Sequence, residues 1–194
     1  YTEGGIQSGN DPVGLLADKV YEVGEISDAD AARAAAKILE AIEGKPRPLF
    51  VVSSDFTHYG HRFGYVPFSE RPAAALRERL RALDGGAIDL IVAGDARGFS
   101  RYVEKTGATI CGRNPIMIAL AIPLADRAAE LVAYDTSCGV TGECESSVSY
   151  AAIRVLGRIA GDAKSGSPRA FGERERRFLL GLALVLRHGI VLED

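Results

Sequence analysis

An α/β fold is predicted by three features of this 194-residue sequence. The short apolar run PLFVV reads as a strand of the kind buried on both faces. Alanine-rich and amphipathic stretches around it read as helices. Further along, ELVAYDTS and SSVSYAAIRVL mix Ser and Thr with apolar residues in the alternation of strands. Strands interleaved with helices define the α/β class, and its ligand sites collect at the carboxyl ends of strands.

The elements follow in order. Residues 1–18, rich in Gly and Asp without periodicity, read as irregular. A short apolar piece covers Val20 to Val23. Ser27 is placed as a helix N-cap, with Asp28 and Asp30 in the first turn. The helix AARAAAKILEAI then runs to a stop at Gly44 and Pro46. Residues 49–52 form the buried strand. Pro72 opens a second helix, AAALRERLRAL, which Gly85 and Gly86 should end, leaving AIDLIVA as a short helix or turn. Asp95 caps ARGFSRYVEKTG, and an apolar helix is expected over residues 114–125. The two strand-like runs come next, joined by the loop CGVTGEC. Residues 161–172 read as a linker, and GERERRFLLGLALVL starts an amphipathic helix.

Composition narrows the function classes. Apolar residues make up 47% and charged residues 25%, ordinary for a globular domain with a sizeable core. A net charge of -3 and the absence of a basic run argue against a nucleic-acid partner. No apolar segment reaches membrane-spanning length, so no membrane partner is expected. Three cysteines, an odd number, argue against a disulfide framework and for a reducing cytoplasm. The chain begins at Tyr1 and its one methionine is Met117, which suggests a processed chain or a fragment.

The chemistry concentrates in SSDFTHYGHRFGY, residues 53–65, which holds two of the three histidines. Asp55 and His58 are three apart on the loop after the expected strand. An imidazole and a carboxylate together suit a first-row metal. The same pair serves equally as a base with its orienting carboxylate, or as a hydrogen-bonded loop pair without a metal. His61 adds a second imidazole that shares a face with His58 if the segment coils, and is otherwise a solvated residue. Arg62 suits an anionic substrate or an ion pair. Tyr59, Phe63 and Tyr65 read first as packing residues, with Tyr65 also placed to line a pocket.

Cys111 lies in ATICGRNPI, just before the apolar helix. The helix N-terminus and Arg113 both favour a thiolate there, which is a nucleophile and a soft metal ligand. The alternative is a small core cysteine. Cys138 and Cys144 lack a usual zinc spacing and read as structural or surface thiols. His188 falls in the tail and is expected to be exposed.

In order along the chain, LFVVSSDFTHYGHRFGY, ATICGRNPI and ESSVSYAAIRVL resemble the Memo family, which includes a branch called AmmeMemoRadiSam system protein B. The likeness spans roughly residues 20–157. FGERERRFLLGLA is similar to the opening helix of an AMMECR-type domain. The resemblance implies an α/β fold like the class III extradiol dioxygenases and a site for iron or copper. Carried over by motif, Asp55 and His58 come from SSDFTHYG and Cys111 from TICGR, as catalytic residues and metal ligands. Arg62, Tyr65 and Arg113 are the accompanying substrate-binding candidates. The family takes two further histidines from a preceding half-domain, and residues 1–48 contain none. The expected organisation is therefore an unassigned segment 1–18, the C-terminal part of a Memo-like domain over 19–160 with its N-terminal half missing, a linker 161–172, and a truncated AMMECR-type start over 173–194. A metal at such a site is expected to be weakly held.

Three functions are carried forward. The first is a metal-dependent redox protein with dioxygenase-like activity, acting on a small molecule or peptide, with AMMECR-type and radical SAM proteins as system partners. The second is a non-catalytic binding or adaptor module. The third is a hydrolase using Cys111 and His58 as a nucleophile and base.

Overall fold

The computed structural model describes residues 25–44, 49–68 and 73–160. Expectations for Val20 to Val23, Pro46, Pro72, residues 1–18 and the stretch from 161 to 194, His188 included, lie outside the described residues.

Helix α1, Asp28–Ile42, begins where its cap was read. The Asp30 amide donates to Ser27 Oγ at 3.2 Å, and the Ser27 amide donates to the Asp30 carboxylate at 3.1 Å. This reciprocal box satisfies two otherwise orphaned amides. The Ser27 hydroxyl and amide hold the Asp30 carboxyl below its ordinary pKa. The buried face of α1 is small, formed by Ala31 and Ala35.

Helix α2, Ala73–Ala93, is continuous. Gly85 and Gly86 do not end it, contrary to the sequence reading. Glycine costs a helix backbone entropy but does not break it. At Gly86 the missing side chain has a use: a Cβ there would collide with the Tyr102 ring. Tyr102 sits in that gap and donates to the Leu83 carbonyl at 2.7 Å. The carbonyl end of α2 is covered by Arg127, which donates to Ile91, at 2.6 Å, and to Val92. Such donors satisfy the last carbonyls of a helix.

Helix α3, Ala96–Thr106, starts at Asp95, whose carboxylate accepts from the Gly98 amide at 2.8 Å. Helix α4, Arg113–Ala121, stops short of the expected 125, and a strand already begins at Leu124 beyond Pro123. The core gathers Phe56, Ala87, Ile88, Phe99, Val103 and Met117 between these helices and one face of the sheet. Phe99 has no exposure, and Met117 has 1%.

Three strands form the sheet: β1, His58–Gly60; β2, Leu124–Thr136; and β3, Ser146–Ile159. Their order is β1-β3-β2. His58 pairs with Val148, and Thr136 with Ser149, all antiparallel. A mixed α/β architecture is therefore present, but its sheet is small and antiparallel. The rule that places sites at the carboxyl ends of parallel strands does not apply to it.

Two further expectations are corrected. Residues 49–52 are not a strand. Leu49 and Val51 are 49% and 54% exposed, so the apolar run is not buried either. A strand exists only through a paired neighbour, and among the described residues none pairs with this run. Cys138 and Cys144 are not thiols but a disulfide. A short helix α5, Ser137–Thr141, and the turn at Gly142 bring their Cα atoms to 4.7 Å, within bridging range. The odd cysteine count leaves Cys111 as the free thiol, and the bridge removes the basis for reading a reducing compartment from cysteine usage. No helix among the described residues is long and apolar enough to cross a membrane.

Candidate functional site

Two loops build the site. The first, residues 53–57, leads into β1. The second, residues 108–112, leads into α4. Four hydrogen bonds stitch them together. The Gly112 amide donates to Ser54 Oγ at 2.9 Å. The Asp55 amide donates to the Cys111 sulfur at 3.2 Å. Thr109 Oγ1 accepts from the His58 amide at 2.8 Å and donates to the His58 carbonyl at 3.0 Å. Gly112 is required for this approach, because a Cβ there would collide with the Ser54 side chain.

The result is convergence. One donor atom from each of Asp55, His58 and Cys111 lies within 4.8 Å of the others. His58 Nε2 is 3.5 Å from Asp55 Oδ2. Asp55 and His58 are half-buried and Cys111 is exposed. The residues come from 56 positions apart in sequence, so no local spacing could have shown the full set. A carboxylate, an imidazole and a thiolate together are a donor set for a first-row transition metal, and three protein ligands leave coordination positions open. The residues present therefore fit the metal that the family resemblance implies. His61, on the exposed turn His61–Phe63, is not one of the group.

The remaining candidates are spread around the triad. Phe63 stacks on the His58 ring, with centroids 5.2 Å apart. Arg62 lies over the other contact partner of that stack, 5.9 Å from the Phe63 centroid. The Tyr65 hydroxyl donates to the Thr106 carbonyl at 2.8 Å, tying its loop to the end of α3. Burial, then the Asp84 charge, raises the Tyr65 pKa. Arg113 is buried, and its guanidinium is engaged by Ser100 at 2.9 Å, by Glu104 at 2.7 Å and by Glu25. Its charge pins α4 to α3. A cleft of about 450 Å³ opens beside Cys111, lined among others by Glu104, Thr109, Ile110 and Asn114.

Two residues escaped the sequence reading. Tyr150, on β3, sits on the same strand face as Val148, the partner of His58. Burial raises its pKa, and the Asp55 charge raises it further. Asp84, in α2, is wholly buried beneath the first loop. Asp84 carried one usable signal, its place on the i, i+4 stripe of Leu76, Leu80 and Ile88. Tyr150 carried none beyond its place in the SSVSYAA motif.

Comparison with known proteins agrees with the motifs. Residues 23–154 match the family described as Memo-like protein. The chain is 36% identical over 113 residues to Protein memo-1 homolog of Caenorhabditis elegans, covering 55% of this chain and 32% of that protein. It is 32% identical over 158 residues to Protein MEMO1 of Rattus norvegicus, covering 78% and 52%. To Protein MEMO1 of Danio rerio it is 34% identical over 122 residues, covering 60% and 41%. The chain spans about half the length, or less, of the curated relatives it matches.

Proposed function

The chain belongs to the Memo-like family, and from that premise we propose that it is a metal-binding protein, holding iron or copper between Asp55, His58 and Cys111. The observation that carries this is the convergence of three chemically suited donor atoms within 4.8 Å. Bound there, either metal would supply one-electron redox chemistry of the dioxygenase-like kind, on a fold of extradiol dioxygenase type.

The chain's own residues supply the setting. The Asp55 amide donates to the Cys111 sulfur and holds it against the first loop. Thr109 holds the peptide groups on both sides of His58, and Phe63 covers one face of its ring. The open cleft of about 450 Å³ beside Cys111 is lined from the side of α3 and the second loop, and Asp55 and His58 are not among its lining residues. Arg62, Tyr65 and Arg113 are assigned to substrate. Arg62 has the most support as an anion contact, since the Tyr65 hydroxyl and the Arg113 guanidinium already have partners. System partners of AMMECR and radical SAM type, and a cytoplasmic setting, complete the reading.

Anaerobic loading with Fe(II) or Cu(I), followed by metal analysis after desalting, tests the proposal. His58→Ala and Cys111→Ser should each lose the metal. Retention of one equivalent by either variant would refute it. The hydrolase reading has less support, because the Cys111 sulfur receives its hydrogen bond from the Asp55 amide rather than from an imidazole.

A further inference from the structure

Asp84 has no solvent exposure. Burying a carboxylate is costly unless its oxygens are fully engaged. Here Oδ1 accepts twice from one residue, from the Thr57 amide at 3.1 Å and the Thr57 hydroxyl at 2.6 Å. Oδ2 accepts from the Tyr134 hydroxyl at 2.7 Å. That hydroxyl lies 3.2 Å from Ser149 Oγ. Ser149 in turn pairs by backbone with the same loop: the Phe56 amide donates to the Ser149 carbonyl at 2.9 Å, and the Ser149 amide donates to the Thr57 carbonyl at 3.0 Å.

Thr57 stands between the two loop ligands. The separation of the Asp55 and His58 side chains is set by the backbone of residues 56 and 57. Two of the three bonds of Asp84 named above grip Thr57 itself, and the third, from Tyr134 of β2, leads through the Tyr134 hydroxyl to Ser149 of the strand beside the loop. A carboxylate serving only α2 would not need to reach Thr57 twice.

We propose that Asp84 is a positioning residue for the metal triad, holding Asp55 and His58 at ligand spacing through its double grip on Thr57. This rests on the metal-site reading above. Removing the grip leaves the ligand side chains in place but loosens the loop that aims them. Partners that orient metal ligands from behind typically matter by about 10- to 100-fold in affinity.

The test is a cobalt(II) titration of the full chain, followed by the thiolate-to-cobalt absorption band, in five proteins: the parent, Asp84→Ala, Asp84→Asn, Thr57→Val and Phe99→Leu. Asp84→Ala should bind roughly 10- to 100-fold more weakly, with a shifted band. Thr57→Val, which keeps the buried carboxylate and the amide contact, should weaken binding in the same direction by less. Asp84→Asn keeps an acceptor for Thr57 and should restore most of the affinity. Phe99→Leu lowers stability from the core without touching Thr57 and should bind as the parent does. Parent-like affinity and band in both Asp84→Ala and Thr57→Val would overturn the positioning role and leave the metal site standing. Failure of the parent itself to bind cobalt would overturn the metal reading, and this inference with it.

Discussion

The Asp55 amide donates to the Cys111 sulfur across 3.2 Å, so the two ligand-bearing loops touch at the atoms that matter. Gly112 permits this contact. Gly112→Ala should push the second loop away from Ser54 and pull Cys111 from the triad. Metal affinity should fall at least as far as in Ser54→Ala, which removes only the 2.9 Å bond to the Gly112 amide. A titration of both variants decides it; parent-like affinity in Gly112→Ala would show that the loops are not held by this approach.

Cysteine chemistry gives a second expectation. Cys111 is exposed and free, while Cys138 and Cys144 are bridged. Iodoacetamide without reductant should modify Cys111 alone, and reduction should expose all three. Iron(II) or copper(I) added first should protect Cys111. Peptide mass spectrometry reads each site. Modification of Cys138 before reduction would contradict the bridge.

Alkaline pH should destabilise the fold through its tyrosines. Burial raises the Tyr134 pKa far above its ordinary value, and the Asp84 charge adds to this. In the unfolded chain the phenol ionises near pH 10. Above that pH the unfolded state releases a proton that the folded state keeps, so stability falls as pH rises. Below about pH 10 the contribution is complete. Urea midpoints measured from neutral pH upward should drop in the parent, and drop less steeply in Tyr134→Phe. Equal slopes would contradict the assignment.

The core should be unforgiving at Phe99, which has no exposure and packs between the helices. Phe99→Ala should cost about 3–5 kcal/mol by denaturant titration. A loss below about 1 kcal/mol would mean that the cavity collapses.

Much of this was legible in the sequence, for local reasons. Ser27 and Asp95 announced helix starts because a cap is made within three residues. Asp55, His58 and Cys111 were singled out by residue type, by the family motifs, and by position: Cys111 before α4, and Asp55 and His58 after an expected strand over residues 49–52 that the structure does not form. What was not legible depends on distant partners. Residues 49–52 have strand composition, but composition cannot supply a neighbouring strand. Gly85 and Gly86 look like a stop until Tyr102, far along the chain, is seen filling the space. Cys138 and Cys144 look like thiols until α5 folds them together. Asp84 falls on the apolar stripe of α2, but its partners Thr57 and Tyr134 lie in other elements, 27 and 50 residues away.

The central claim is that Asp55, His58 and Cys111 jointly hold a transition metal. X-ray absorption on the chain loaded anaerobically with one equivalent of iron(II) or copper(I) tests it most directly. The expected spectrum has one sulfur and at least one imidazole bound to the metal, with the sulfur lost in Cys111→Ser and the imidazole in His58→Ala. A coordination shell of light oxygen or nitrogen atoms without sulfur, unchanged in both variants, would contradict it.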